Sequence, residues 1–132
     1  MTRSRMSARK AGPWFERTTA DYLNHFVDDR IDRRVKTGNK DRGDIGGVRA
    51  FKGGRLVVEC KDRGGIYEIG SWLTETEIER LNDDAEIGVV VAKRRGKLHP
   101  GDQVVIMTLR DLVALLTGER PDDETYTRKA AG

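Results

Sequence analysis

Apolar positions in the first part of the chain change from helical to extended spacing. From Pro13, which suits a first helical turn, two neighbouring apolar stripes recur at helical intervals as far as Val27. Glu16 lies on one of these stripes. From residue 31 to residue 36, apolar and charged residues instead alternate one by one, as in an edge strand with one wet face. The pattern predicts a helix followed by a short strand.

The middle of the chain has the pattern of a hairpin. Residues 44–51 and 55–61 are extended segments on either side of Lys52-Gly53-Gly54, the strongest turn signal in the sequence. Consecutive strands of a hairpin pair with each other, so Asp44 is expected to lie beside Glu59.

The second half of the chain adds a helix, two strands and a last helix. After an extended stretch, a helix is expected to begin near Ser71 or Thr74, with its apolar side chains in the core. Residues 87–92 form a continuous apolar run, as in an interior strand covered on both faces. Residues 103–107 indicate a further strand, and the amphipathic helix that follows ends at Gly118.

These elements predict one α/β domain, a mixed central sheet flanked by helices in the order α-β-β-β-α-β-β-α. A chain of 132 residues can bury a single core. We place the domain at residues 13–118, after a flexible basic arm at residues 1–12 and before a disordered polar tail at residues 119–132. No stretch approaches the roughly 20 apolar residues of a membrane span, and no secretion signal is evident. A cytoplasmic protein with no membrane partner is expected.

Charge is distributed unevenly over this domain. The net charge is +3, but residues 1–61 carry 15 Lys and Arg against 8 Asp and Glu, whereas residues 62–132 carry 10 against 14. A basic half suits a polyanionic partner, because binding a polyanion releases its counterions. A solvated face that keeps the protein soluble is the alternative for any single basic cluster.

The segment Glu59-Cys60-Lys61 carries the clearest candidate chemistry. It ends an apolar run and lies fifteen positions after Asp44. Side chains alternate along a strand, so Glu59 and Lys61 share one face. With Asp44 on the neighbouring strand, two carboxylates converge beside one lysine, as a divalent cation and an activated water require for hydrolysing a phosphodiester. Taken alone, E-x-K at a strand end is more often an exposed ion pair.

Glu16 adds a further carboxylate to this picture. A glutamate in a helix is usually solvated, but one on an apolar stripe needs a partner when it is buried. A shared metal ion or Lys61 would supply that partner.

In this order, Glu16, Gly43-Asp44-Ile45 and Val57-Val58-Glu59-Cys60-Lys61 resemble the PD-(D/E)XK nuclease superfamily, most closely its archaeal and phage Holliday junction resolvases. The resemblance covers roughly residues 15–116 and implies a restriction-endonuclease-like fold. The chain departs from the motif at Gly43, where the family has proline. That position shapes the turn before the aspartate.

The resemblance implies a Mg²⁺- or Mn²⁺-dependent DNA endonuclease with four catalytic residues: Glu16, Asp44, Glu59 and Lys61. Asp44, Glu59 and the backbone carbonyl of Cys60 would hold the metal, and Glu16 would act as an auxiliary ligand. Lys61 would orient or help deprotonate the attacking water.

The expected partner is branched DNA, with a four-way junction as the substrate. The DNA backbone would be held by basic residues of the predicted strand and the following loop: Arg33, Arg34, Lys36, Lys40 and Arg42. The resemblance implies a homodimer with two active sites, in the cytoplasm or nucleoid of a prokaryotic or phage-infected cell. No strand followed by G-x-G-x-x-G and a helix is present, so no nucleotide cofactor is expected. Two alternatives stay open: a general or sequence-specific DNA endonuclease of the same fold, and a non-catalytic nucleic-acid-binding module.

Overall fold

The computed structural model describes residues 5–36 and 38–131. Within these residues the helices are α1 (Arg5–Phe26), α2 (Ile69–Asn82), α3 (Leu109–Thr117) and α4 (Asp123–Ala131). The strands are β1 (Asp32–Arg33), β2 (Ile45–Gly46), β3 (Leu56–Lys61), β4 (Ile87–Ala92) and β5 (Val104–Ile106), and a short 3-10 helix spans Pro100–Asp102. The predicted order of elements is confirmed as far as α3.

The five strands form one mixed sheet in the order β1-β2-β3-β4-β5. β3 and β4 are parallel and are joined by α2, whereas the other neighbours are antiparallel. In the register of the central strands, Glu59 pairs with Val90, and Ile45 of β2 pairs with Val58. The chain is therefore a single α/β domain with a mixed sheet, as the sequence pattern predicts.

Helices cover both faces of this sheet. On one face, Phe15 and Ala20 of α1 pack with Val58 in the larger core cluster. On the other face, Trp72 of α2 packs against Val90. Because side chains alternate along β3, Glu59 and Lys61 lie on the α2 face of the sheet.

The two chain ends differ from the prediction. α1 begins at Arg5, so Pro13 lies inside the helix instead of in its first turn, and the expected arm at residues 1–12 is helical from residue 5 onward. Residues 1–4 of that arm lie outside the described residues. At the other end, α4 occupies most of the predicted disordered tail, and Asp122 accepts a hydrogen bond from the Thr125 N–H at 3.1 Å. Aspartate is a favoured residue at the start of a helix, so Asp122 explains a helix that the polar composition of this segment does not predict.

The face that helix α2 turns to the sheet includes Trp72, as predicted, but not Ile78 or Leu81. Ile78 and Leu81 are 56% and 64% exposed, whereas Thr76 and Glu79 are buried. The cause lies beneath the helix, where a Cβ at Gly88 of β4 would come within 2.9 Å of Thr76 Cγ2. This close approach fits Thr76 against the sheet and brings Glu79 into the interior beside it.

The outer strands are shorter than predicted. The extended segments 31–36 and 44–51 contain only two strand residues each. The chain leaves β2 at Gly47, where φ is +84° and a Cβ would lie 2.9 Å from the Arg30 carbonyl oxygen. Among the described helices, none has both the length and the apolar character needed to cross a membrane.

Candidate active site

The four residues predicted to be catalytic line a single cleft of about 210 Å³ at the carboxyl end of β3. Glu16 comes from α1, Asp44 immediately precedes β2, and Glu59 and Lys61 come from β3. The structure thus brings together residues from three separate parts of the chain.

Asp44 is buried and held against the end of β3. Its backbone N–H donates to the Val58 carbonyl at 2.9 Å, and its Oδ2 accepts a hydrogen bond from the Cys60 N–H at 2.8 Å. Lys36 Nζ lies 3.3 Å from Oδ1. Burial opposes ionisation of this carboxyl, but hydrogen bonds from Glu59 and Cys60 and the charge of Lys36 outweigh it and lower the pKa of Asp44. Asp44 is therefore an ionised, oriented acceptor.

Gly43 sets the direction in which the chain enters this position. Its φ is +91°, and a Cβ there would lie 2.8 Å from Val57 Cγ1. Its N–H donates to Asp41 Oδ1 at 2.9 Å. Proline can adopt neither that φ nor that hydrogen bond, so a proline would not fit this backbone at position 43.

Glu59 is the most strongly perturbed carboxyl group in the cleft. Burial, followed by hydrogen-bond contact with Asp44 and with Glu79, raises the pKa of Glu59 to about 12. Burial and the two neighbouring carboxyl groups therefore favour the protonated form of Glu59. The hairpin prediction that Asp44 lies beside Glu59 is confirmed.

Glu16 approaches the same group of carboxylates from α1. Its Oε2 lies 3.3 Å from Arg33 Nη2, and its side chain is largely buried. Burial and the neighbouring charge of Asp44 raise the pKa of Glu16. Glu16 thus has a cationic partner, Arg33, in addition to its position at the cleft.

Lys61 is paired with Glu75, which is not among the site residues predicted from the sequence. Its Nζ donates to both oxygens of Glu75 on α2, at 3.1 and 3.0 Å. Burial alone would lower the pKa of Lys61, but the hydrogen bond to Glu75 and the charge of Glu59 outweigh burial and raise it. Lys61 is therefore an ammonium donor, and in this state it cannot accept a proton from water.

Other cleft residues were also missed. Asp41 and Glu75 line the cleft, and Glu79 contacts Glu59. Lys36, which the sequence predicts to bind DNA, instead lies in this cleft beside Asp44. Glu75 and Glu79 are four residues apart, so a helix places both carboxylates on the same face. This spacing can be recognised in the sequence. It was overlooked because the apolar residues of α2 were assigned to the core.

The basic residues predicted to bind DNA do not share one environment. Arg34, Lys36, Lys40 and Arg42 line a second cleft of about 490 Å³, whereas Arg33 lies at Glu16. Arg34 is committed to the buried carboxylate of Asp83, with Nη1 3.0 Å from Oδ1. Lys40 and Arg42 are exposed.

Cys60 lies on the opposite face of β3, against the core beneath α1. Burial, and then the charge of Asp44, raises the pKa of its thiol. A thiol that stays protonated is a poor nucleophile, so the chemistry of this cleft rests on its carboxylates and Lys61.

The donors facing the cleft are carboxylate oxygens, the ligand type that Mg²⁺, Mn²⁺ and Ca²⁺ prefer. No protein-family model matches the chain, and neither does any curated protein or any solved structure. A function for this protein must therefore follow from the residues of the cleft and the surface around it.

Proposed function

We propose that this protein is a metal-dependent DNA endonuclease that hydrolyses phosphodiester bonds, with branched DNA such as a four-way junction as its substrate. The observation that carries the proposal is the convergence of Glu16, Asp44, Glu59 and Lys61 in one cleft. An acidic pocket with a lysine, beside an exposed basic loop, suits a divalent cation and a polyanion together. The resemblance to PD-(D/E)XK nucleases, and with it the restriction-endonuclease-like fold, supports the same function.

The carboxylates of Asp44 and Glu59 would hold Mg²⁺ or Mn²⁺, together with the Cys60 carbonyl and with Glu16 as an auxiliary ligand. Their contact in the interior fits this role, because a cation relieves the repulsion that otherwise forces a proton onto Glu59. When bound, the ion would lower the pKa of a water molecule and offset charge on the phosphate.

Lys61 would orient the attacking water and stabilise the negative charge that develops on the phosphate oxygens. Its raised pKa supports the role of hydrogen-bond donor over that of general base. Glu75 holds the ammonium group at the cleft, so the side chain does not have to be ordered when substrate binds.

The exposed side chains of Lys40 and Arg42 would contact the DNA backbone. Contacts to phosphate fix the position of a protein on DNA but carry no base information, so recognition here would depend on shape. A homodimer, as the resemblance implies, would present two clefts to strands of opposite polarity.

A cleavage assay tests this proposal directly. The substrates are a four-way junction and a linear duplex that contains the same arm sequences, each incubated with Mg²⁺, Mn²⁺ or EDTA. The variants are Asp44→Asn and, as a control, Glu68→Gln, which removes an exposed charge at the start of α2. Cation-dependent cutting of the junction, lost in Asp44→Asn alone, supports a resolvase.

Equal cutting of both substrates would identify a general endonuclease of this fold. DNA binding without cleavage in any cation would refute the enzymatic proposal and leave the non-catalytic binding module.

A further inference from the structure

Glu79 is a buried carboxylate without a hydrogen-bond donor. Its exposed fraction is 1%, and among the described residues no nitrogen or hydroxyl donor reaches either of its oxygens. Its neighbours include other carboxyl groups, Glu59 and Asp41. An unsatisfied buried carboxylate is costly, so native structures normally supply a partner.

The buried aspartates of the described residues show what Glu79 lacks. Asp83 is paired with Arg34, and Asp111 with Arg120 at 2.7 Å. Asp44 accepts a backbone hydrogen bond from Cys60. Among the described carboxylates, Glu79 is the one with both oxygens buried and without a hydrogen-bond partner, and this position points to a ligand.

One proton cannot form hydrogen bonds to all of the carboxyl groups around Glu59. Glu59 contacts both Asp44 and Glu79. A single carboxyl proton is donated to one acceptor at a time, so Asp44 and Glu79 cannot share it. A divalent cation, in contrast, accepts several carboxylate oxygens at once.

The oxygens are close enough for this. Asp41, Glu59, Glu75 and Glu79 each offer one carboxylate oxygen, and these four atoms lie within 4.8 Å of one another. Oxygen ligands of Ca²⁺ are about 2.3–2.6 Å from the ion, so opposite ligands are at most about 5 Å apart. The four side chains therefore need little movement to share one ion.

The cluster is also held in place by the fold. Glu75 and Glu79 are one helical turn apart on α2, and Glu59 is fixed in the middle of the sheet. Asp41 is tied to α2 through its carbonyl oxygen, which accepts a hydrogen bond from Asn82 Nδ2 at 2.9 Å. Glu59 and Glu79 form a buried floor, whereas Glu75 and Asp41 form a rim open to solvent.

We propose that Asp41, Glu59, Glu75 and Glu79 form a divalent-cation site of their own, on the α2 side of Glu59, for a hard ion such as Mg²⁺, Mn²⁺ or Ca²⁺. This site shares Glu59 with the proposed nuclease metal site but does not require Asp44. It binds its ion whether or not the protein cuts DNA.

Calorimetric titration of the metal-free protein with Mn²⁺ tests this site. Asp44→Asn removes a metal ligand of the proposed nuclease site, and Mn²⁺ binding at the new site is expected to remain in this variant. The double variant Asp44→Asn, Glu79→Gln should bind Mn²⁺ about tenfold or more weakly than Asp44→Asn, since even outer partners of metal ligands contribute that much. Adding Glu68→Gln, the exposed control, should leave affinity and stoichiometry unchanged. Equal Mn²⁺ binding with and without Glu79→Gln would overturn the proposal.

A second variant guards against a folding artefact. Glu75→Gln lies at the half-exposed rim and is also expected to weaken Mn²⁺ binding, and a thermal melt of each variant shows whether it is folded. If Glu79→Gln does not fold, unchanged Mn²⁺ binding in folded Glu75→Gln overturns the proposal instead.

The result is separable from the nuclease proposal. Mn²⁺ binding that depends on Glu79, in a protein that cuts no DNA, supports this site and refutes the nuclease. Cation-dependent cleavage, with Mn²⁺ binding unaffected by Glu79→Gln, supports the nuclease and overturns this site.

Discussion

Lys61 of β3 and Glu75 of α2 are joined by two hydrogen bonds, at 3.1 and 3.0 Å, across the mouth of the cleft. Their side chains are 21% and 45% exposed. A pair this open to water contributes little to stability, because solvent screens the attraction and both side chains lose freedom. The main effect of the pair is to hold the ammonium group beside the carboxylates.

Lys61→Ala is therefore expected to separate activity from stability. The single-turnover cleavage rate should fall about 100-fold or more, as for the loss of an electrostatic donor in other enzymes. The free energy of unfolding should change by less than about 1 kcal/mol. Arg110→Ala is the matched control, since it breaks a surface ion pair with Asp123 far from the cleft. A fall in stability large enough to unfold the variant would contradict this assignment.

Asp44→Asn is expected to abolish cleavage while DNA binding stays near normal or becomes slightly tighter. Loss of a metal ligand removes several kcal/mol of transition-state stabilisation, or roughly a thousandfold in rate. The substitution also removes a negative charge close to the phosphates. Cleavage rates and an electrophoretic binding assay in Ca²⁺ measure the two effects separately. Full activity in Asp44→Asn would remove Asp44 from the mechanism.

Glu79 makes the stability of the metal-free protein depend on pH. Burial raises the pKa of Glu79 from its ordinary 4.5 to about 7. A carboxyl that binds its proton more tightly when folded stabilises the fold at low pH. That contribution is complete below pH 4.5 and is lost as pH rises through about 7.

Glu79→Gln should therefore be more stable than the wild type above pH 7, with the advantage disappearing near pH 4.5. The expected gain is about 1 to 3 kcal/mol, the usual cost of an unsatisfied buried polar group. The Gln amide can donate to Glu59 at every pH. Thermal melts in EDTA across this pH range measure the difference, and a variant that is less stable at pH 8 would contradict it.

Arg34→Ala is expected to act on folding and not on DNA. The buried carboxylate of Asp83 then keeps only the ion pair with Arg55, in which Nη1 lies 3.6 Å from Oδ1. This pair is longer than the one with Arg34, and the Arg55 side chain is exposed. The free energy of unfolding should fall by roughly 1 to 3 kcal/mol, as when a buried acceptor loses its donor. Arg30→Ala, which breaks an exposed ion pair with Asp28, should leave the urea midpoint nearly unchanged. Equal midpoints for the two variants would show that Asp83 does not depend on Arg34.

The double variant Lys40→Ala, Arg42→Ala should weaken DNA binding and its dependence on salt. Each phosphate contact contributes about −0.9 to the slope of log K against log salt, so the slope should flatten by nearly two units. Junction and linear DNA should be affected alike. Arg94→Ala with Arg95→Ala, in the other exposed basic loop, is the control. Flattening by the control pair alone would move the binding surface to that loop.

The sequence predicted most accurately those features that depend on one strong local signal. β4 has the predicted bounds because a continuous apolar run is buried on both faces, as in an interior strand covered by helices on both sides of the sheet. Asp44 and Glu59 meet because a glycine turn fixes the hairpin that joins them. Each of these results follows from a signal that spans only a few consecutive residues, the apolar run 87–92 or the turn 52–54.

The features that were missed depend on contacts between distant segments. Glu79 is buried because α2 lies close over Gly88, and no helical pattern shows which residue lies beneath a helix. Arg34 resembles any other basic residue of its segment until α2 brings Asp83 to it. The length of α1 was underestimated because Pro13 was interpreted as a helix start, although the residues before it also favour helix.

Glu59 contacts Asp44 on one side and Glu79 on the other. A substitution at Asp44 or at Glu79 changes one neighbour of Glu59, whereas a substitution at Glu59 changes the surroundings of both. Loss of one outer carboxylate therefore leaves Glu59 one of its two carboxyl neighbours, whereas loss of Glu59 separates the two outer groups from their shared contact. Among relatives that differ in cation chemistry, we expect Glu59 to be kept after either outer carboxylate has been lost.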